Sequence, residues 1–295
     1  MSINSFLEYL FFEKNYSKHT AVAYKNDIKS FQEFCLNTYD FSNLEEVNYP
    51  QIRNWIVDMV NNKISNRSVN RKVSALKSYY KYLQKIKRIE VSPLLKHQPL
   101  KVAKKVEVPF SEKEIKDVFE MLGDDSSFEG LRAKLIVELF YSTGIRRSEL
   151  VNIEISNIDF KNETVKVLGK RNKERFIPLL KSIQETIKKY LTVRSEINTN
   201  SSYLLITKKG KKVYDTLVYR IINNYFSSVS TKVKKSPHVI RHSFATHLLN
   251  EGADLNSVKE LLGHSSLAST QVYTHSSLGK LKEIYNQAHP RSVKK

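Results

Sequence analysis

A mainly α-helical chain of two domains, with one small antiparallel β-sheet in the second, is the fold class that this sequence predicts. Three observations carry it. Apolar residues recur at three- and four-residue spacing through most of the 295 residues. Gly 8 and Pro 7 are low counts, which favours long helices over a turn-rich β architecture. The stretch from Ser92 to Pro109, SPLLKHQPLKVAKKVEVP, carries three prolines and repeated lysines and keeps no period. It reads as holding the crossing between domains: residues 1–98 form the first, 99–108 the linker and 109–295 the second.

The elements follow in order. The start, MSINSFLEYLFFEKN, is interrupted by Glu8 and lacks a basic first segment, so it reads as an amphipathic helix and not as a signal peptide. Ser17 and Thr20 precede a helical run with Tyr24, Ile28 and Phe31. A second helix covers roughly Pro50 to Asn62, with Ile52, Trp55, Ile56 and Met59 as its apolar stripe. A third begins near Ser68 and runs through Val69, Val73, Leu76, Tyr79, Tyr80 and Leu83. Its other face carries Arg71, Lys72, Lys77 and Lys81, a basic face that suits a DNA groove as well as it suits solvent.

Ser111 and Glu114 form an S-x-x-E capping box that opens the second domain. Residues 131–141 are apolar and helical, and Gly144 ends that helix. Between 157 and 179 the period drops to two: Val165 and Val167 alternate with Thr164 and Lys166, the polar turn GKRNKE follows, and Phe176, Ile177 and Leu179 resume. This is a hairpin or short sheet. From Ile183 the helical period returns.

Lys+Arg 49 against Asp+Glu 30 give a formal charge of +19, which points to a polyanionic partner, nucleic acid first. The hydrophobic fraction of 40% and the aromatic fraction of 11% allow a sizeable core and argue against disorder. The single cysteine, Cys35, cannot form an intrachain disulfide and sits in an apolar helical stretch, where a buried, inert thiol is expected. No apolar run approaches the roughly 20 residues of a membrane span, so no membrane partner and a cytoplasmic location are expected.

Four segments carry the chemistry. In TGIRRSEL, Gly144 ends one helix and the next begins near Arg147, so Arg146 stands at a tight junction where a guanidinium can be aimed at a phosphate. In GKRNKER, Lys170 sits at a hairpin tip. In PHVIRH, Pro237 suits a first helical turn, and His238 and Arg241, three apart, project from one face, while Ile240, Phe244 and Leu248 anchor another in the core. In the last segment, LLGHSS followed by Tyr273-Thr274-His275, Asp254 caps a helix that Gly263 ends, which leaves His264 in a turn before Tyr273. There is no G-x-x-x-x-G-K-[ST] loop, no obvious set of metal-binding carboxylates, and no cofactor is called for.

Taken in this order, T-G-[apolar]-R-x-S-E-L, the G-K-x-x-K-E-R hairpin, H-x-x-R-H-S-F-A-T-H-L and L-G-H-x-S-x-x-x-T-x-x-Y-T-H resemble the tyrosine recombinase/integrase family, and the length and two-domain layout look most like its Xer branch. The N-terminal pattern of Ser17, Thr20, Tyr24 and Asp27, with the run from Ser68 to Leu83, resembles the family's SAM-like core-binding domain. The resemblance implies a C-shaped clamp on DNA and strand cleavage and rejoining through a 3′-phosphotyrosyl bond, without ATP. It implies that Arg146 and Arg241 clamp the scissile phosphate, that Lys170 protonates the departing 5′-oxygen, that His238 helps move the tyrosine proton, that His264 hydrogen-bonds the phosphate and that Tyr273 is the nucleophile. Thr20, Arg71, Lys72, Lys77, Lys173 and Arg175 are the implied DNA contacts. The sequence departs from the family at Arg171, where glycine is usual; a bulky residue there either restricts the turn that carries Lys170 or adds a phosphate contact of its own.

Implied partners are double-stranded DNA with a specific recombination site, a homo- or hetero-tetramer of recombinase subunits in which the tail beyond Tyr273 (Leu278, Leu281, Ile284, Tyr285) docks on a neighbour, and a septal DNA translocase. The implied biology is chromosome-dimer resolution at cell division. A mobile-element integrase of the same family is the alternative, with a tyrosine-based DNA-relaxing topoisomerase and a non-catalytic helix-turn-helix protein built on residues 254–274 as more distant ones.

Overall fold

The computed structural model describes residues 3–41, 43–103, 107–169, 173–263, 284–285 and 287–291. The chain divides into two compact units, Met1–Lys105 and Val106–Lys295.

The first unit is helical. Helix α1 (Ile3–Glu8) runs into a π-helical turn over Tyr9–Glu13, and α2 (Lys18–Tyr39), α3 (Tyr49–Asn61) and α4 (Asn66–Lys85) follow. Each of the last three starts on a side-chain cap. Ser17 Oγ accepts from the Thr20 N–H, Asn48 and Gln51 form a reciprocal box that spans Pro50, and Ser65 accepts from Ser68, so α4 begins two residues earlier than its apolar stripe suggests. The apolar stripes of the helices meet in one core around Phe6, Ile28, Phe31, Trp55, Leu76 and Tyr80. Cys35 is fully buried there, and burial pushes its thiol up to about 11, which makes it inert. The stretch after Pro99 is held to this unit, because the Asn70 amide bonds both the N–H and the C=O of Leu100.

In the second unit the central helix is α6 (Phe128–Thr143), buried on nearly every side, with Arg132 and Glu138 buried among its apolar residues. Around it lie α5 (Glu112–Leu122), the short α7 (Arg147–Leu150), α8 (Lys181–Ser195), α9 (Asp215–Val229), α10 (Pro237–Asn250) and α11 (Leu255–Leu262). The Ser111–Glu114 box caps α5, Pro237 stands in the first turn of α10, and Asp254 caps α11 through the N–H groups of Asn256 and Ser257. The sheet is antiparallel and three-stranded, β1 (Ile158–Asp159), β2 (Thr164–Leu168) and β3 (Glu174–Pro178), in that order. Val165 faces Ile177 and Val167 faces Arg175 across β2 and β3, so all four share the inner side.

Ile284 and Tyr285 pack against this chain's own second unit. Tyr285 is fully buried and its hydroxyl donates to the Ser142 carbonyl. These two residues of the tail that was expected to dock on a neighbour are thus placed on the chain's own second unit. Leu278, Leu281 and the part of the 254–274 helix-turn-helix alternative beyond Gly263 lie outside the described residues. Among the described residues, no helix is long and apolar enough to cross a membrane.

Candidate active site

Three elements bring the site together, and each owes its position to a local rule. Gly144 ends α6 in the left-handed region at φ 56°, which turns the chain so that Arg146 becomes the N-cap of α7. A Cβ at Gly144 would fall 2.5 Å from the Phe244 ring and 2.7 Å from Leu262, so the turn also brings α6 against α10 and α11. On α10, Ile240, Phe244 and Leu248 are buried at every fourth position and fix its rotation. This leaves Arg241 7% exposed at the floor of a cleft and His238 standing out at its rim. Gly263, at φ 64°, ends α11 beside them.

The arginines are held from behind. Glu149, on α7, receives Arg146 NH1 at 2.7 Å and Arg175 NH1 and NH2 at 2.8 Å each, and its second oxygen also accepts the Arg146 backbone N–H. Burial alone would raise this carboxyl, but the Arg175 and Arg146 bonds outweigh it and hold it at about 2. The end of α11 supplies the other anchors. Arg175 Nε donates to the Leu261 carbonyl, Arg241 NH2 to that of Leu262 and Arg146 NH2 to that of Gly263. Arg241 also donates to the Gly144 carbonyl. Cations placed on the last carbonyls of a helix meet the negative end of its dipole.

Arg146, Arg241 and His238 line a single open cleft of about 600 Å³ with Ser148, Tyr219, Ser236 and Pro237. Burial, and then the nearby Arg146 charge, lower Arg241 to about 10, which still leaves it cationic at neutral pH. The first turn of α10 adds its own positive potential. Two fixed guanidiniums and an imidazole around one opening make a receptor for a tetrahedral oxyanion, and the planar forks suit paired bonds to phosphate oxygens. His238 Nε2 lies 3.8 Å from the Glu107 carboxylate, which also pairs with Lys234.

Comparison with known proteins gives this geometry a family. The Phage integrase family pattern matches residues 109–279, and that of its N-terminal SAM-like domain matches residues 3–87. The tyrosine recombinase XerC of Bacillus subtilis (strain 168) is 38% identical over 307 residues, covering 99% of this chain and 97% of that protein. The chain belongs to the phage integrase family. The XerC of Anoxybacillus flavithermus is likewise 38% identical, over 99% of this chain and 98% of its own length. Among solved structures, the XerA recombinase is similar at 27% identity, with a TM-score of 0.50 and 98% of each chain covered. A XerH recombinase bound to a palindromic difH substrate shares the fold, with a TM-score of 0.72 at 19% identity, covering 98% of this chain and 82% of that one. The protein is a tyrosine recombinase, a site-specific DNA cleavage and religation enzyme.

Of the six residues that the recombinase motifs single out, Arg146, His238 and Arg241 are described, and they share the cleft. Lys170, His264 and Tyr273, and Arg171 beside the lysine, lie outside the described residues. The expected DNA contacts divide. Lys77 and Lys173 are exposed, and Thr20 is partly exposed with its hydroxyl on Ser17. Arg71 and Lys72 are both tied to Asp27. Arg175 is corrected: it is 4% exposed, and Glu149 and the end of α11 take its guanidinium, so it is an internal brace and not a surface contact. The signal was present in the strand period, since a residue two before the inward Ile177 must also point inward. Glu149 was the functional residue missed. It stood in the S-E-L motif, where an acid in a first helical turn has an ordinary explanation in the helix dipole.

Proposed function

We propose that this cleft is where the recombinase breaks and remakes DNA strands. Arg146 and Arg241 hold the non-bridging oxygens of the scissile phosphate, and the Tyr273 oxygen attacks phosphorus. The bond to the 5′-oxygen breaks, Lys170 supplies that oxygen with a proton, and His238 and His264 assist at the tyrosine proton and the phosphate. The 3′-phosphotyrosyl bond conserves the energy of the broken linkage, so a 5′-hydroxyl from another strand can reverse the step without ATP. A free tyrosine has a pKa of about 10, so its proton needs an acceptor, and fixed cationic donors stabilise the charge that builds on phosphorus-bound oxygens. The observation that carries this reading is the pair of braced guanidiniums with His238 around one cleft.

The α4 face with Arg71, Lys72 and Lys77 contacts the DNA backbone in this reading, with Thr20 and Lys173 as further contacts. The working unit is a tetramer on two duplexes, each with a specific recombination site. The biological task is the resolution of chromosome dimers in the cytoplasm at cell division, under a septal DNA translocase. Near-full-length likeness to proteins named tyrosine recombinase XerC supports that assignment over a mobile-element integrase.

The test is a nicked suicide duplex carrying the target site, followed by denaturing electrophoresis. A covalent protein–DNA adduct is expected, and Tyr273→Phe abolishes it. An adduct that persists in that variant removes Tyr273 as the nucleophile.

A further inference from the structure

Asp27 belongs to the N-terminal sequence pattern, yet nothing so far gives it a task. Its side chain is 3% exposed, in a core otherwise built from Ile28, Phe31, Trp55 and their neighbours. A carboxylate in such a place persists only with partners. Both of its oxygens are taken from one side. Oδ2 receives Arg71 NH1, and Oδ1 receives Arg71 NH2 at 2.9 Å and Lys72 Nζ at 3.3 Å. Lys72 Nζ also stands 5.9 Å from the centre of the Trp55 ring.

Adjacent residues on a helix point in different directions. One carboxylate set beneath α4 gathers the two cations over a single patch in spite of that. Arg71 remains half exposed, and two of its five donors are spent on Asp27, which leaves the others to the surface. We infer that Asp27 is a positioning residue for DNA binding, holding Arg71 and Lys72 ordered so that a backbone phosphate meets both without first having to immobilise them. The inference rests on the reading that the α4 face contacts DNA.

Bulk electrostatics and positioning predict opposite signs. Asp27→Asn removes a negative charge from a DNA-facing unit, which by charge alone tightens binding. If Asp27 positions the cations, the same change weakens it, by about tenfold for two side chains that must now be ordered on binding. The measurement is fluorescence anisotropy of the full-length protein on a labelled 30-base-pair duplex across a potassium chloride series, with melting curves to confirm folding. Asp27→Asn is expected to bind more weakly, with a shallower salt dependence, and to have no further weakening effect in an Arg71→Ala/Lys72→Ala background.

Arg71→Lys keeps the charge but loses the fork, at a half-exposed site where folding is safe, and it is expected to lose several-fold in affinity. If Arg71→Ala weakens binding while Asp27→Asn binds as tightly as the parent or more so, the positioning role is overturned and the α4 reading stands. Arg71→Lys binding like the parent would overturn the role equally. If Arg71→Ala/Lys72→Ala binds like the parent, α4 is not a DNA face and both readings fall.

Discussion

At the scale of single residues, the second unit turns on a carboxylate. Glu149 is 3% exposed at its side chain and holds two guanidiniums, one inside the fold and one at the mouth of the cleft. Its folded pKa of about 2 lies below the value of about 4.3 for a free glutamate. The ion pairs therefore add stability that is complete above the free value and is lost as pH falls through 2. Glu149→Gln leaves Arg175 buried without a counter-charge. The expected cost is about 3–5 kcal/mol, or a fall of roughly 10 °C in melting temperature, and the acid-unfolding curve between pH 4.5 and 2 should flatten. A melting temperature within 2 °C or so of the parent would mean that Arg175 finds its charge balance elsewhere.

Residues also mark how far the sequence could be read. Arg146, Arg241 and His238 were legible because motif order and helical spacing place them without knowledge of tertiary structure. Arg175 was not, because its burial depends on a partner 26 positions away in the chain. A charged residue in a charged hairpin gives no hint of that partner unless the strand period is followed through it. Asp27 gave the same difficulty in reverse: the pattern was visible, but the cations that justify a buried carboxylate lie on another helix.

At the scale of elements, caps and periods anticipated most of the helices. The Ser111–Glu114 box and Asp254 were legible as caps, and Ser17 marked a helix start, whereas the capping by Asn48 and Ser65 emerges only in the structure. The brief strand β1 was not resolved, since two residues carry no period. The joint between α6 and α7 is the sensitive point. Gly144 has φ 56° and no room for a methyl group beside Phe244 and Leu262. Gly144→Ala is expected to cost about 2–4 kcal/mol from backbone strain and overpacking together. It should also slow adduct formation on the suicide duplex by displacing Arg146. Calorimetry paired with the adduct assay checks both; normal stability with normal cleavage would show that the joint tolerates a side chain.

At the scale of the whole molecule, the formal charge of +19 sets the terms of association. Affinity for duplex DNA is expected to fall by about 10³-fold between 50 and 200 mM salt, the loss that about six phosphate contacts produce through counterion release. Anisotropy titrations at four salt concentrations give the slope, and a flat line would mean that charge is not what holds the protein on DNA. Each unit has its own hydrophobic core, as each had its own apolar helical periods in the sequence.

The three carbonyls at the end of α11 have one more consequence. In water, a cation that meets a phosphate must first turn its solvent away, and that reorganisation is much of the barrier. Here the dipoles of Leu261, Leu262 and Gly263 and the charge of Glu149 have already taken solvent's place behind the guanidiniums. Arg175 balances the one carboxylate from inside, so the charges of Arg146 and Arg241 are left to face the cleft. The work of arranging that field is done once, during folding, and it need not be repeated in each catalytic cycle.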